Sequence, residues 1–201
     1  MNGEGLHSPP APSGRSLNPE RLALVGFMGC GKSSIGRILA TRRGLRYIDL
    51  DTAIEQEEGC SIPEIFAKKG EAGFRAIESR VLEKISVGKG GVLLSCGGGV
   101  ILAPENRSIL QNRFLCIWID VPEGELLSRL EHQRAHRPLL READYREKVS
   151  RMLKARSPLY RETGEFIYSW KTGDSPEESA RTIISFLESS GQSSVIPAHS
   201  P

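Results

Sequence analysis

Gly26-Phe27-Met28-Gly29-Cys30-Gly31-Lys32-Ser33 carries glycines, a lysine and a hydroxyl at the spacing GxxxxGKS. Glycines let a backbone curl so that consecutive N–H groups converge on phosphate oxygens. A helix beginning at the end of the loop adds free donors and a favourable dipole. In such a loop Lys32 places a cation on the β and γ phosphates, and the Ser33 hydroxyl can ligate Mg²⁺. The flanking sequence agrees. Leu22-Ala23-Leu24-Val25 is an apolar run that reads as a buried strand. A helix is predicted from about Lys32 to Arg43, with Ile35, Ile38 and Leu39 on its apolar stripe and Gly44 as its stop. Strand, loop and helix together favour a nucleoside triphosphate site over a glycine-rich turn with a chance lysine. A dinucleotide fold does not require Gly-Lys-Ser. The motif alone does not separate kinases from GTPases or motor ATPases.

Asp49-Leu50-Asp51 follows a second strand, Arg46-Tyr47-Ile48-Asp49. Residues two apart on an extended segment face the same way, so both carboxylates are expected at one spot beyond the strand's C-terminal end. One could hold a metal's water shell while the other takes a proton from an attacking hydroxyl. A solvated loop with Asp51 as a helix N-cap is the plainer reading. The base-reading Asn/Thr-Lys-x-Asp element of a GTPase is missing from the sequence. The third strand, Val92-Leu93-Leu94-Ser95, ends in Ser95-Cys96-Gly97, not in the carboxylate expected of a motor ATPase. Both points favour a small-molecule kinase.

Arg75 and Glu78 stand three apart on a predicted helix, so Glu78 could orient the guanidinium; exposed pairs of this kind are also common and worth only tenths of a kcal/mol. Gly97-Gly98-Gly99 at a strand end would let backbone amides approach a ligand closely, which is more than a plain turn needs. The Arg-rich stretch 132–144 holds Arg137 ahead of Pro138-Leu139-Leu140 and suits either a lid over phosphates or an ordinary solvated loop. His132 and His136 are four apart but have no evident third metal ligand. Arg156, before Ser157-Pro158-Leu159-Tyr160, reads by itself as a helix-end arginine.

The elements that must position these groups alternate strand and helix, the signature of a layered α/β fold with a parallel sheet. Ser61 with Glu64 makes a capping box ahead of Ile62, Ile65 and Phe66, which are expected to face inward. A helix follows from about Glu71 to Ser86. Phe114–Ile119 is the most hydrophobic strand and is expected to be central. Helices are expected after Pro122, from Tyr145 to Arg156, and from Ser175 to about Glu188, with a short strand at Phe166–Tyr168.

The 201 residues suit one domain, 21–188, between Gly/Pro/Ser-rich tails at 1–20 and 189–201 expected to be flexible. A net charge of +2 is too weak to argue for nucleic acid or a membrane surface. No apolar run approaches the ~20 residues of a membrane helix, and no secretory signal is visible. Four cysteines without a CxxC spacing are expected to be reduced thiols in a cytoplasmic protein.

In sequence order, Gly26–Ser33, Asp49-Leu50-Asp51, Phe74-Arg75-Ala76-Ile77-Glu78, Gly97-Gly98-Gly99, Arg137-Pro138-Leu139-Leu140 and Arg156 before Pro158-Leu159-Tyr160 closely resemble the shikimate kinase family. The resemblance spans about residues 21–188. It implies a P-loop kinase fold, a three-layer α/β/α sandwich on a five-stranded parallel sheet in order 2-3-1-4-5. It implies transfer of the ATP γ-phosphate to the 3-hydroxyl of shikimate, in aromatic amino-acid biosynthesis, by a monomer with one Mg²⁺ and no nucleic-acid or membrane partner. By the same resemblance Gly29, Cys30, Gly31, Lys32, Ser33, Ser34 and Arg137 bind ATP. Ser33 and Asp49 serve the metal. Asp51 is the base and, with Arg75, Gly97, Gly98, Gly99 and Arg156, binds the acid, and Lys32 and Arg137 share in catalysis. Glu78 steadies Arg75, Phe66 and Phe74 border the acid, and Arg129 is the candidate for the adenine contact. Cys30 and Cys96 depart from the residues usual in the family without removing a needed side chain. The nearest rivals are a kinase of another hydroxy acid, such as gluconate, and an inert homologue used for binding; the two arginines argue against the first, and the presence of Lys32, Ser33, Asp49 and Asp51 against the second.

Overall fold

The computed structural model describes residues 6–7, 20–132 and 144–192. Its strands are β1 (Leu6–His7), β2 (Arg21–Val25), β3 (Arg46–Asp49), β4 (Val92–Ser95), β5 (Leu115–Asp120) and β6 (Phe166–Ser169). Its α-helices are α1 (Lys32–Arg43), α2 (Leu50–Glu58), α3 (Ile62–Ser86), α4 (Pro104–Arg113), α5 (Glu123–Glu131), α6 (Tyr145–Thr163) and α7 (Pro176–Gln192), with a 3₁₀ turn at Val100–Leu102. The sheet order is β1-β6-β5-β2-β4-β3. β3, β4, β2, β5 and β6 run parallel, which is the expected five-stranded order, and β5 is one of the two middle strands of the six.

The sixth strand lies in the stretch expected to be a tail: Leu6 and His7 pair antiparallel with Tyr168 and Ile167. No strand signal marks so short a segment, because it borrows its register from the edge of a sheet already formed.

Parallel strands are covered on both faces, so they read as unbroken apolar runs rather than alternating ones. Leu22, Ala23, Leu24 and Val25 are wholly buried, as are Leu93, Leu94 and Ile117. The register aligns Leu24 and Asp49 on either side of Ser95, so β2, β3 and β4 end together at one C-terminal edge. Ligands of open α/β sheets bind at that edge.

Three local differences from the expected elements have physical reasons. α2 begins at Leu50, directly after β3, so Asp51 sits in a first helical turn and not on extended chain. α3 runs through Gly70, whose left-handed backbone (φ 66°) breaks the helix between Lys69 and Glu71. α6 continues past Arg156 to Thr163 with Pro158 inside it. A proline strands the carbonyl four residues back. Here Pro158 and Lys154 are both exposed, so water can satisfy that carbonyl. Phe66, expected to face inward, is 37 % exposed and lies against Phe74 with ring centroids 4.6 Å apart.

A ladder of ion pairs ties α2 to α3: Lys69 and Arg80 meet Glu58 at 2.7 and 2.6 Å, and Arg80 and Lys84 meet Glu57 at 2.8 and 2.7 Å. Each exposed pair contributes only tenths of a kcal/mol. Their spacing nevertheless fixes the helix that carries Asp51 against the one that carries Arg75.

Candidate active site

The loop between β2 and α1 folds as its glycines require. Gly26 has φ 146°, and a Cβ there would lie 2.7 Å from the Ile119 carbonyl oxygen, so no other residue fits. Lys32 is buried, and its Nζ donates to the Gly26 and Phe27 carbonyls at 2.8 and 2.9 Å, with Cys30 Sγ at 3.5 Å. These contacts hold the ammonium inside the loop's curl.

Asp49 closes β3 and caps α2. Its Oδ1 accepts from the Asp51 and Thr52 amides at 3.2 and 3.4 Å, while its Oδ2 accepts from Ser33 Oγ at 3.2 Å and Tyr47 OH at 3.3 Å. The cap is therefore Asp49, not Asp51. That one carboxylate joins the helix start to the phosphate loop. The turn carries Asp51 round to the glycine triplet, where a Cβ on Gly97 would lie 2.7 Å from Asp51 Oδ1. Asp49 and Asp51 thus share a site, though through a helix N-terminus and not through strand alternation.

The second half of α3 presents Arg75 above the last glycine of the triplet. A Cβ on Gly99 would lie 2.5 Å from Arg75 Nη2, so the guanidinium needs a bare backbone there. Arg75 Nη1 donates to Glu78 Oε2 at 2.7 Å, Glu71 lies 3.6 Å from Nη2, and the buried Nε has no hydrogen-bond partner. The Arg75–Glu78 pair is not the solvated i,i+3 pair that the sequence left open: Glu78 is 1 % exposed. Burial pushes its carboxyl above the usual range, opposed by Arg75 and Arg156 and reinforced by Asp51.

From α6, Arg156 Nη1 donates to the Gly98 carbonyl at 3.3 Å, and the Tyr160 hydroxyl donates to the same oxygen. Gly98 in turn packs on the phosphate loop, with Met28 N 3.3 Å from where its Cβ would be. A cleft of about 250 Å³ is lined by Gly29, Gly31, Lys32, Ser33, Asp49, Asp51, Gly97 and Gly98, among others including Ser34 and Cys96.

Beside the phosphate loop, Arg129 lies within 3.8 Å of the Cβ position of Gly31, is held by Glu125 at 2.7 Å, and stacks on the Trp170 ring at 4.6 Å. The sequence names Tyr160 only as the end of the motif after Arg156, with no role of its own, and does not single out Trp170. The signal for Tyr160 was its spacing of four from Arg156, one helical turn away on the same face; Trp170 comes from the far end of the chain and carries no local signal. Arg137, His136 and the interior of the expected lid lie outside the described residues. His132 Nδ1 contacts the Ser128 carbonyl at 2.9 Å. All four cysteines are free; burial raises the thiols of Cys96 and Cys116 well above their ordinary range.

A parallel sheet with a phosphate loop at its C-terminal edge, a lysine in the loop and two carboxylates beside it defines a P-loop kinase of a small molecule. Residues 28–188 match the family described as shikimate kinase. The chain is 43 % identical over 175 residues to a shikimate kinase of Synechococcus sp. (strain CC9605), covering 87 % of this chain and 86 % of that one. It is 42 % identical over 170 residues to one of Halorhodospira halophila, covering 85 % and 94 %. Among solved structures it resembles the shikimate kinase from Acinetobacter baumannii in complex with shikimate, with a TM-score of 0.76 and 36 % identity over 84 % of this chain and 93 % of that one. The chain belongs to the shikimate kinase family.

Proposed function

We propose that this chain transfers the γ-phosphoryl group of ATP to the 3-hydroxyl of shikimate, giving shikimate 3-phosphate and ADP on the route to aromatic amino acids. One observation carries the reading: the groups needed for a phosphate, a hydroxyl and a carboxylate meet around three consecutive glycines. Lys32 lies in the loop, Asp51 against Gly97, Arg75 against Gly99, and Arg156 on the Gly98 carbonyl.

In this reading the amides of Gly29 to Ser34 and the Lys32 ammonium hold the phosphates. When substrate binds, Lys32 keeps its position but exchanges carbonyl partners for phosphate oxygens. Asp51 takes the proton of the attacking hydroxyl as the O–P bond forms. The guanidinium groups of Arg75 and Arg156 grip the acid's carboxylate. The unpartnered Arg75 Nε is a donor in waiting there, because a buried N–H without an acceptor costs about 1–3 kcal/mol. Phe74 and Phe66 wall the ring of the acid, and Arg129 stacked on Trp170 faces the nucleotide. On the sequence alone, Arg137 adds a further cation at the transferring group.

The Ser33 hydroxyl and the Asp49 carboxylate, 3.2 Å apart beside the loop, are hard oxygen donors that would hold one Mg²⁺ bound with ATP. When bound, the ion neutralises charge on the phosphates. The chain's own residues otherwise perform every step above. Among the described residues no helix is long and apolar enough to cross a membrane.

ADP release measured with shikimate, quinate, gluconate and nucleoside monophosphates as acceptors tests the assignment. Shikimate is expected to give the highest kcat/KM. A higher value for gluconate or a nucleotide would overturn it.

A further inference from the structure

The Tyr160 hydroxyl has no part in the chemistry above, yet it lies where the acid clamp meets the phosphate loop. Tyr160 is wholly buried, with its ring stacked on Trp118 at 6.1 Å. Its hydroxyl donates to the Gly98 carbonyl and would lie 3.6 Å from a Cβ on Gly98. Arg156, one turn earlier on α6, offers Nη1 to the same oxygen at the longer distance of 3.3 Å. Burial holds the Tyr160 hydroxyl protonated, well above the ordinary phenol range, so it stays a donor at every physiological pH.

The Gly98 carbonyl is part-buried at the wall of the cleft, where a fixed protein donor serves it better than passing water. If Tyr160 supplies it, the guanidinium is only loosely engaged and can turn its donors to a carboxylate. If Tyr160 does not, the carbonyl depends on Arg156 and competes with the substrate for it.

We infer that Tyr160 is a positioning residue: by satisfying the Gly98 carbonyl it releases Arg156 to bind the carboxylate of the acceptor acid. The inference rests on the proposed function in placing Arg156 at the acid, and it adds a residue that acts through Arg156 without touching substrate. It predicts an effect on one substrate only, and only while Arg156 is present.

The test is a double-mutant cycle on the full chain with Tyr160→Phe, Arg156→Ala and both together. kcat/KM is measured for shikimate at saturating ATP, and KM for ATP at saturating shikimate. Tyr160→Phe is expected to lower kcat/KM for the acid about tenfold through KM, leave KM for ATP within twofold, and leave the melting midpoint nearly unchanged. In the Arg156→Ala background the added Tyr160→Phe should change kcat/KM less than twofold, because two groups acting as one are non-additive. The same tenfold factor in both backgrounds would overturn the inference. So would a rise in both KM values, no change at all, or a Tyr160→Phe chain too unstable to assay, since that would assign the hydroxyl to the fold. Failure of the functional reading looks different: the wild-type chain itself would not turn over shikimate.

Discussion

Glu78→Ala separates a residue that tunes the site from one that merely fills the core. In the native chain Glu78 is 1 % exposed and holds Arg75 at 2.7 Å, while the Arg75 side chain is 23 % exposed. Removing one partner of a fully buried ion pair costs about 3–5 kcal/mol. Arg75 reaches water and has Glu71 at 3.6 Å, so the orphaned charge is partly screened and the cost falls to about 2–3 kcal/mol. Opposing this, the substitution removes a carboxylate that burial already penalises. The net is roughly 1–2 kcal/mol, a fall of about 2–8 °C in melting midpoint for a domain of this size.

The effect on substrate should be larger and one-sided. Arg75 loses the charged hydrogen bond that aims it, worth about 1.5–3 kcal/mol, so KM for shikimate should rise roughly 10–100-fold with KM for ATP unchanged. Steady-state kinetics with each substrate varied, beside a thermal melt, read both quantities. A variant that melts lower but keeps its KM for the acid would refute the reasoning, because Arg75 would then find the carboxylate unaided.

The same carboxyl gives the pH dependence. Its pKa in the fold is raised above 4.5, so its contribution to stability is fully present below that value and is lost as pH rises through the raised one. For binding the sign is opposite. On acidification Glu78 takes a proton before an ordinary carboxylate would, the pair with Arg75 weakens, and KM for the acid climbs. Glu78→Gln should flatten that acid limb.

Asp51→Asn should lower kcat about 10²–10⁴-fold, the usual contribution of a general base, with an unchanged melting midpoint; a kcat near wild type would remove Asp51 from that role. Gly99→Ala should raise KM for shikimate and spare ATP. The Gly99 backbone is ordinary (φ −103°), so the cost comes from a Cβ 2.5 Å from Arg75 Nη2 pushing the guanidinium aside; an unaltered KM for the acid would show that Arg75 binds elsewhere.

Much of this site was legible because its motifs are local. The phosphate loop, the start of α1 and its stop at Gly44 each depend on residues within one turn of one another. What was not legible came from competition between local signals and tertiary context. Pro158 reads as a helix stop, yet α6 passes through it at an exposed turn, where water can reach the backbone that the proline leaves unpaired. Asp49-Leu50-Asp51 reads as extended, yet capping by Asp49 starts a helix at Leu50. α4 gave no clear apolar stripe, since only Asn106 and Leu110 along it are buried. The partnership of Arg129 with Trp170 joins residues 41 positions apart and depends on β5 and β6 being neighbours.

The triplet explains why three glycines stand in a row where a turn would need one. Each meets a different group: Asp51 at Gly97, the Met28 amide and the Tyr160 hydroxyl at Gly98, and Arg75 at Gly99. Successive Cα atoms are about 3.8 Å apart, so the backbone sets Asp51, the phosphate loop and the Arg75 guanidinium a few ångströms from one another. Side chains on that segment would push the three groups apart. The segment is rigid because β4 feeds it from inside the sheet and the Asn106 and Arg107 side chains hold the following carbonyls of Val100 and Ile101 at 3.1 and 2.9 Å. The charged side chains therefore meet a backbone template that the sheet has already fixed.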